Sequence, residues 1–384
     1  GTYHNGRRSR SMASSRIALS LALAIGGCDG LIKGKTREHT EHLASSNQQH
    51  PLPDVHAQLH EEPALMPRPE KLCGGVVCQE NEYCASTQDG TQFCLQRGLA
   101  AGRPFRQQST PFLPTLSEGT KTDWHTSPIQ PQCPKSSAAR QYIGESWAAI
   151  GQAEHASVAS FSAHALELTL LGAPAELISG ALNAAMDEVQ HAKLALGLAA
   201  LYLEKPTLSP DSIAGAKAAS LSGGVTYNLT ALAISTAKDG CVAETIASVE
   251  ALFALAKAAD PAVRGALTTI ASDEARHAAL GWRALEWAIS EDQALAEPLV
   301  DTITRAIETL LEKPSDAAQR QQPAVRADAA VAEAHGVMSE QTRADARHSA
   351  VETVIKPALQ LLKQRESSQS ASDFVVAHFQ AATA

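Results

Sequence analysis

The sequence predicts an all-α fold: a bundle of long helices with one extended crossover, followed by further helices and preceded by a small cysteine-rich module. Three observations carry this expectation. Alanine is abundant and aromatics make up only 4% of the chain, a composition suited to closely packed helices. From about residue 138 the text turns into Ala/Leu-rich helical pattern, interrupted by a short, a long and a short connection. Within that pattern one phrase occurs twice, as Asp187-Glu188-Val189-Gln190-His191 and Asp273-Glu274-Ala275-Arg276-His277.

The N-terminal residues do not read as folded structure. Met12 is a plausible start, leaving residues 1–11 as upstream sequence. Met12 to Arg16 forms a basic n-region, and Ile17 to Ile25 an apolar run of nine residues, too short for a permanent membrane span. It ends in Ile25-Gly26-Gly27-Cys28, which resembles the lipobox of bacterial lipoproteins, where the cysteine becomes the lipidated N-terminus. That resemblance implies an exported protein, lipid-anchored to the bacterial cell envelope, with residues 1–28 as upstream segment and signal peptide. A plain secretory signal is the alternative.

Residues 29–72 are polar, with scattered His and Pro, and read as a flexible linker. Next, Cys73, Cys78, Cys84 and Cys94 define a module over 73–94. Their spacing lacks the paired C-x-x-C of a zinc ribbon, which favours two disulfides of unassigned connectivity in an oxidising compartment. Cys133 and Cys241 are left as either a long-range bridge or two thiols. Residues 95–137 are rich in Pro, Ser, Gln and Thr and read as a second linker without strand or helix periodicity.

Helices are expected over roughly 138–171, 175–203, up to about 259 from a start near 228 or Gly240, and 261–290. Gly172-Ala173-Pro174 and Asp260-Pro261 supply the turns and the helix-start signals. Beyond 291, over 291–384, the pattern stays helical, broken around 314–323, with another helix at about 340–364 and no catalytic motif.

Glu and His at i and i+3 share one helix face, so each repeated phrase offers a carboxylate and an imidazole together. A carboxylate-bridged metal pair requires one further Glu from each of two other helices. The first helix offers Glu154 and the third Glu244. Glu154 lies 18 residues before Gly172 and Glu188 14 after Pro174; Glu244 lies 16 before Asp260 and Glu274 13 after Pro261. At 1.5 Å per residue the two legs of each hairpin match within about a turn. Oxygen and imidazole donors without thiolate suit two iron ions, with manganese possible. A ligating His usually donates its other N–H to a carboxylate, so Asp187 and Asp273 are expected each to support the His of the opposing helix.

Glu154, Glu188-x-x-His191, Glu244 and Glu274-x-x-His277 resemble the ligand pattern of the ferritin-like di-iron carboxylate superfamily, over residues 138–290. The D-E-x-R-H form of 273–277 is similar to that of its reductase and monooxygenase branch. The resemblance implies a ferritin-like bundle in which Glu188 and Glu274 bridge the metals while Glu154 and Glu244 are terminal ligands. The chain departs from it in having no Cys-x-x-Cys after the bundle, no Tyr near a ligand (Tyr202 is 14 residues past Glu188), and Ala247 where a further carboxylate would stand. Glu250, His155 and His164 do not share the ligand face; Phe161, Phe253 and Trp282 are either pocket walls or ordinary core.

Three function classes remain open at this stage. One is a di-iron oxidoreductase using O2 or peroxide on an unidentified small molecule and drawing on an unidentified reductant. Another is an iron- or manganese-handling protein of ferroxidase type. The third is a non-catalytic envelope scaffold. A net charge of −9 with no basic cluster past residue 11 argues against nucleic acid as a partner.

Overall fold

In the computed structural model the described residues are 130–211, 228–311, 329–364 and 369–383, with short stretches at 72–73, 76–77, 82–86, 92–96, 103–107, 110–111, 113–118 and 122–124. They are predominantly helical. Cys28 and Cys78 lie outside them, as do the side chains of Cys73, Cys84 and Cys94. The backbone of this region forms two antiparallel ladders: β1 (Leu72–Cys73) with β2 (Val76–Val77), and β3 (Glu82–Ser86) with β4 (Gln92–Gln96), where Cys84 stands opposite Cys94. No described helix is long and apolar enough to cross a membrane.

Helix α1 (Ser137–Leu170) starts where the Ser136 side chain accepts a hydrogen bond from the Ala139 N–H. It stops at Gly172, whose φ of +74° is a conformation only glycine adopts without strain. Helix α2 (Ala175–Tyr202) then returns along α1. Asn228 caps α3 (Leu229–Ser235), which runs without interruption through a π-helical segment (Thr236–Ala243) into α4 (Glu244–Lys257). Asp260 caps α5 (Pro261–Glu291), accepting from the Ala262 and Val263 N–H groups, with Pro261 in the first turn. Helix α5 packs along α4, the π segment and α2.

Two apolar layers enclose the middle of this assembly. One contains Ile143, Trp147, Leu196, Leu267 and Ile270. The other contains Phe161, Leu168, Leu177, Leu280 and Ala284. Glu154, Glu188, His191, Glu274 and His277 fall between these layers along α1, α2 and α5, and all are buried. The C-terminal helices α6 (Ala296–Leu311), α7 (Ala329–Ala334), α8 (Glu340–Ala350), α9 (Lys356–Lys363) and α10 (Ala371–Thr383) follow. Leu299, Ile303, Val354, Ile355 and Phe379 of this extension pack with Val242, Ile246 and Trp282, so it completes the core on the α4–α5 side.

One stretch departs from the linker reading of the sequence. Residues 103–118 were expected to be linker, yet the Phe105 N–H donates to the Ala156 carbonyl and Gln152 Nε2 to the Pro114 carbonyl. Strand β5 (Arg106–Gln107) pairs with β6 (Thr110–Pro111), and β7 (Leu116–Ser117) with β8 (Ser209–Pro210) from the crossover. The segment's described residues make long-range contacts, to which local periodicity is blind. The terminal helix α10 lies within the 291–384 stretch expected to be helical; at its start the Glu286 carboxylate of α5 accepts from the Ala371 and Ser372 N–H groups.

Candidate metal centre

Six side chains meet at the centre of the helices. Glu154 comes from α1, Glu188 and His191 from α2, Glu244 from the first turn of α4, and Glu274 and His277 from α5. They form two overlapping groups that could each hold a metal ion: Glu154, Glu188, His191 and Glu274, and Glu188, Glu244, Glu274 and His277. Glu188 and Glu274 belong to both. Their oxygens divide between the two groups: Glu188 Oε1 lies 3.3 Å from His277 Nδ1 and Oε2 3.6 Å from His191 Nδ1. Glu274 Oε1 lies 3.5 Å from His191 Nδ1 and Oε2 3.7 Å from His277 Nδ1. The two imidazole rings are 5.9 Å apart.

The outer nitrogens are held crosswise. His191 Nε2 is 3.1 Å from Asp273 Oδ2, and His277 Nε2 is 3.3 Å from Asp187 Oδ2. Each carboxylate turns the opposite helix's ring so that Nδ1 faces inward. Arg276, which the sequence reading passed over, ties the two aspartates together, with Nη1 2.7 Å from Asp273 Oδ1 and Nη2 3.0 Å from Asp187 Oδ2. Its signal was the i, i+3 spacing from Asp273.

The donor set fits metal on physical grounds. Both oxygens of Glu188 and Glu244, one each of Glu154 and Glu274, and Nδ1 of both histidines are buried without a hydrogen-bond partner. Unpaired buried polar atoms are costly, and a shared cation removes that cost for all of them at once.

Protons occupy the same balance when metal is absent. Burial, reinforced by the neighbouring Glu188 charge for Glu154 and the Glu274 charge for Glu244, holds both of these carboxyls well above the usual range. Burial acts the same way on Glu188 and Glu274, but the two imidazoles overcome it and hold both below the usual value. Burial opposes charge on His191 and His277 too, yet Asp273, Asp187 and the shared glutamates raise both well above 6.5.

The native metal-free state therefore binds more protons than the unfolded chain above pH 4.5 through Glu154 and Glu244, and above 6.5 through the histidines. Its stability is expected to fall as pH rises from about 7 to 8, where these four groups keep protons that the unfolded chain has lost; below 6.5 the lowered His155, His164, His335 and His378 act in the opposite sense. The depressed Glu188 and Glu274 act in the opposite sense, and only below 4.5. Thermal unfolding in chelator across this range checks it; a midpoint that climbs from about pH 7 to 8 would contradict the proton balance. Metal affinity is expected to rise over the same window, since binding displaces these protons.

The neighbouring residues sort clearly. Phe161 lies against His277, with ring centroids 5.0 Å apart. Trp282 is core, its Nε1 donating to Thr245 Oγ1 at 3.3 Å, and Phe253 is partly buried beside the core. Glu250 is buried away from the centre and accepts from Arg347 Nε at 2.8 Å. Tyr202 donates to or accepts from His335 Nδ1 at 2.7 Å, and His155 packs edge-on to Trp124. Cys133 is exposed and Cys241 buried, both as free thiols.

No protein-family model, curated protein or solved structure matches the chain.

Proposed function

We propose that this chain is a ferritin-like di-iron carboxylate protein of the bacterial cell envelope, acting as an O2- or peroxide-dependent oxidoreductase on a small molecule. The observation that carries the reading is the division of the Glu188 and Glu274 oxygens between two imidazoles, a geometry that favours two ions sharing two carboxylates. Glu154 and His191 would complete one position, Glu244 and His277 the other. A bound pair of irons supplies two-electron redox chemistry; manganese suits the same donors.

The chain's own residues would do the rest. Asp273 and Asp187 would accept the Nε2–H protons and keep both rings in the tautomer that leaves Nδ1 free to ligate. The apolar layers around Phe161 and Trp147 would keep water from the reacting side. Under the same reading Cys28 carries the lipid, the 29–72 segment is the tether and the 73–94 cysteines are paired.

Asp273→Asn and Asp187→Asn are each expected to weaken Fe(II) binding by roughly ten- to a hundredfold. Arg276→Ala should cost less, because its guanidinium is more than half exposed and acts only through the aspartates. Anaerobic Fe(II) titration measures all three; wild-type affinity in both aspartate variants would remove the supporting role.

The reading as a whole is tested by metal loading followed by O2. About two irons per chain with a near-UV oxo-bridge band after oxidation supports it. Absence of stoichiometric metal after reconstitution would sink it. Continuing oxidation of added iron, rather than one cycle that then waits for a reductant, would move the function to metal handling.

A further inference from the structure

A second cluster of buried polar side chains lies one ring away from the metal centre. Arg103 comes from the segment that precedes α1 and is almost fully buried at 4% exposure. Its guanidinium sits over the Phe161 ring at 5.3 Å, and that ring also lies against His277. His164, one turn beyond Phe161 on α1, is 1% exposed, and neither ring nitrogen has a hydrogen-bond partner. Burial and the Arg103 charge push its pKa well down, so the ring is neutral, with one N–H to donate.

Thr236 opens the π-helical segment; it too is 1% exposed, with its hydroxyl unpartnered. Arg103 and Thr236 converge on one point of the backbone. A methyl group placed on Gly240 would meet Thr236 Cγ2 at 3.5 Å and Arg103 Nη1 at 3.9 Å. Glu167, half-buried and within electrostatic reach of Arg103, marks the outer side of the cluster.

Three donors therefore go without acceptors: the Nε–H of Arg103, one N–H of His164 and the Thr236 hydroxyl. Such atoms are rare in interiors unless a ligand or ion takes them. A buried guanidinium whose Nε–H has no acceptor suits a carboxylate oxygen, which keeps lone pairs for hydroxyl and imidazole donors. The π segment adds a second indication, because these rare wide turns are frequent at functional sites. Here the turn sets Thr236 and Glu244 on one continuous helix, the Glu244 N–H donating back to the Asp239 carbonyl.

We infer that Arg103, His164 and Thr236 form a binding site for the carboxylate of a small organic acid, placed beside Phe161 so that the rest of the molecule faces the Glu/His centre. The carboxylate site stands on its own atoms; the orientation toward the centre rests on the proposed metal function.

The test uses full-length protein freed of metal by chelation, with acetate as probe and acetamide as its neutral counterpart, followed by calorimetry or ligand-observed NMR. Acetate is expected to bind saturably and acetamide not to compete. Arg103→Gln should weaken acetate binding at least about tenfold, and the near-isosteric Thr236→Val by roughly fivefold. Fe(II) stoichiometry of each variant shows that it has folded and reports the metal centre separately. Should Arg103→Gln fail to fold, Thr236→Val decides alone.

Equal binding of acetate and acetamide, or unchanged acetate affinity in the folded variants, overturns the inference. Saturable acetate binding that the folded variants weaken, in a protein that never takes up metal, upholds the site while removing the metal function.

Discussion

Glu188→Ala is expected to remove both metal ions together, whereas Glu154→Ala or Glu244→Ala should each weaken one. The difference follows from membership: Glu188 belongs to both candidate groups, Glu154 to one and Glu244 to the other. A supporting carboxylate beyond the ligands is worth ten- to a hundredfold in affinity, so loss of a shared ligand should exceed about a hundredfold at both positions. Charge reinforces the effect. Glu188 lies within 3.6 Å of both imidazoles, and removing it leaves Glu274 as the one ionised carboxylate beside both Nδ1 atoms, with Asp273 and Asp187 on the outer nitrogens. The variant should also unfold earlier than wild type in chelator, because both imidazoles lose a partner even without metal. Metal analysis after anaerobic loading decides the matter. Two irons per chain in Glu188→Ala at wild-type affinity would show that the carboxylate is not shared. One iron would assign it to a single position.

Much of this centre was legible because its chemistry is tied to helical spacing. Glu188 and His191, or Glu274 and His277, can be found by counting three, and the matched hairpin legs pointed to Glu154 and Glu244. The crosswise pairing of Asp187 and Asp273 was also expected from the need to orient a ligating imidazole. What the text hid depends on contacts between distant residues. Arg103 sits in a Pro- and Gln-rich stretch without periodicity, and its burial comes from Phe161 on another element. The start of the third helix was ambiguous between 228 and Gly240 for a related reason. Glycine at 240 reads as a break, whereas the chain passes through it as a π segment pressed against α5. Helical periodicity cannot announce a widened turn whose cause is a neighbouring backbone.

That neighbour makes Gly281→Ala the tightest glycine substitution among the described residues. A Cβ at Gly281 would stand 2.4 Å from the Gly240 carbonyl carbon and 2.5 Å from its oxygen. These are backbone atoms of a helical segment, so no rotamer change relieves the clash and the two elements must separate. Overpacking of this kind costs about 1–3 kcal/mol, equivalent to a fall of several degrees in Tm for a domain of this size. The damage has a direction. Gly240 lies four residues before Glu244, and Gly281 four after His277, so separation pulls Glu244 away from His277 while leaving Glu154 and His191 in place. Gly281→Ala should therefore weaken one of the two metal positions more than the other as well as lower Tm. Gly265→Ala, on the same helix, is the control: a Cβ there meets nothing within 4 Å, and alanine should raise stability by roughly 0.5–1 kcal/mol. Thermal unfolding in chelator, paired with Fe(II) titration, reads both effects. If Gly281→Ala matched the control in Tm and in both affinities, the glycine contact could not be what sets the register of Glu244.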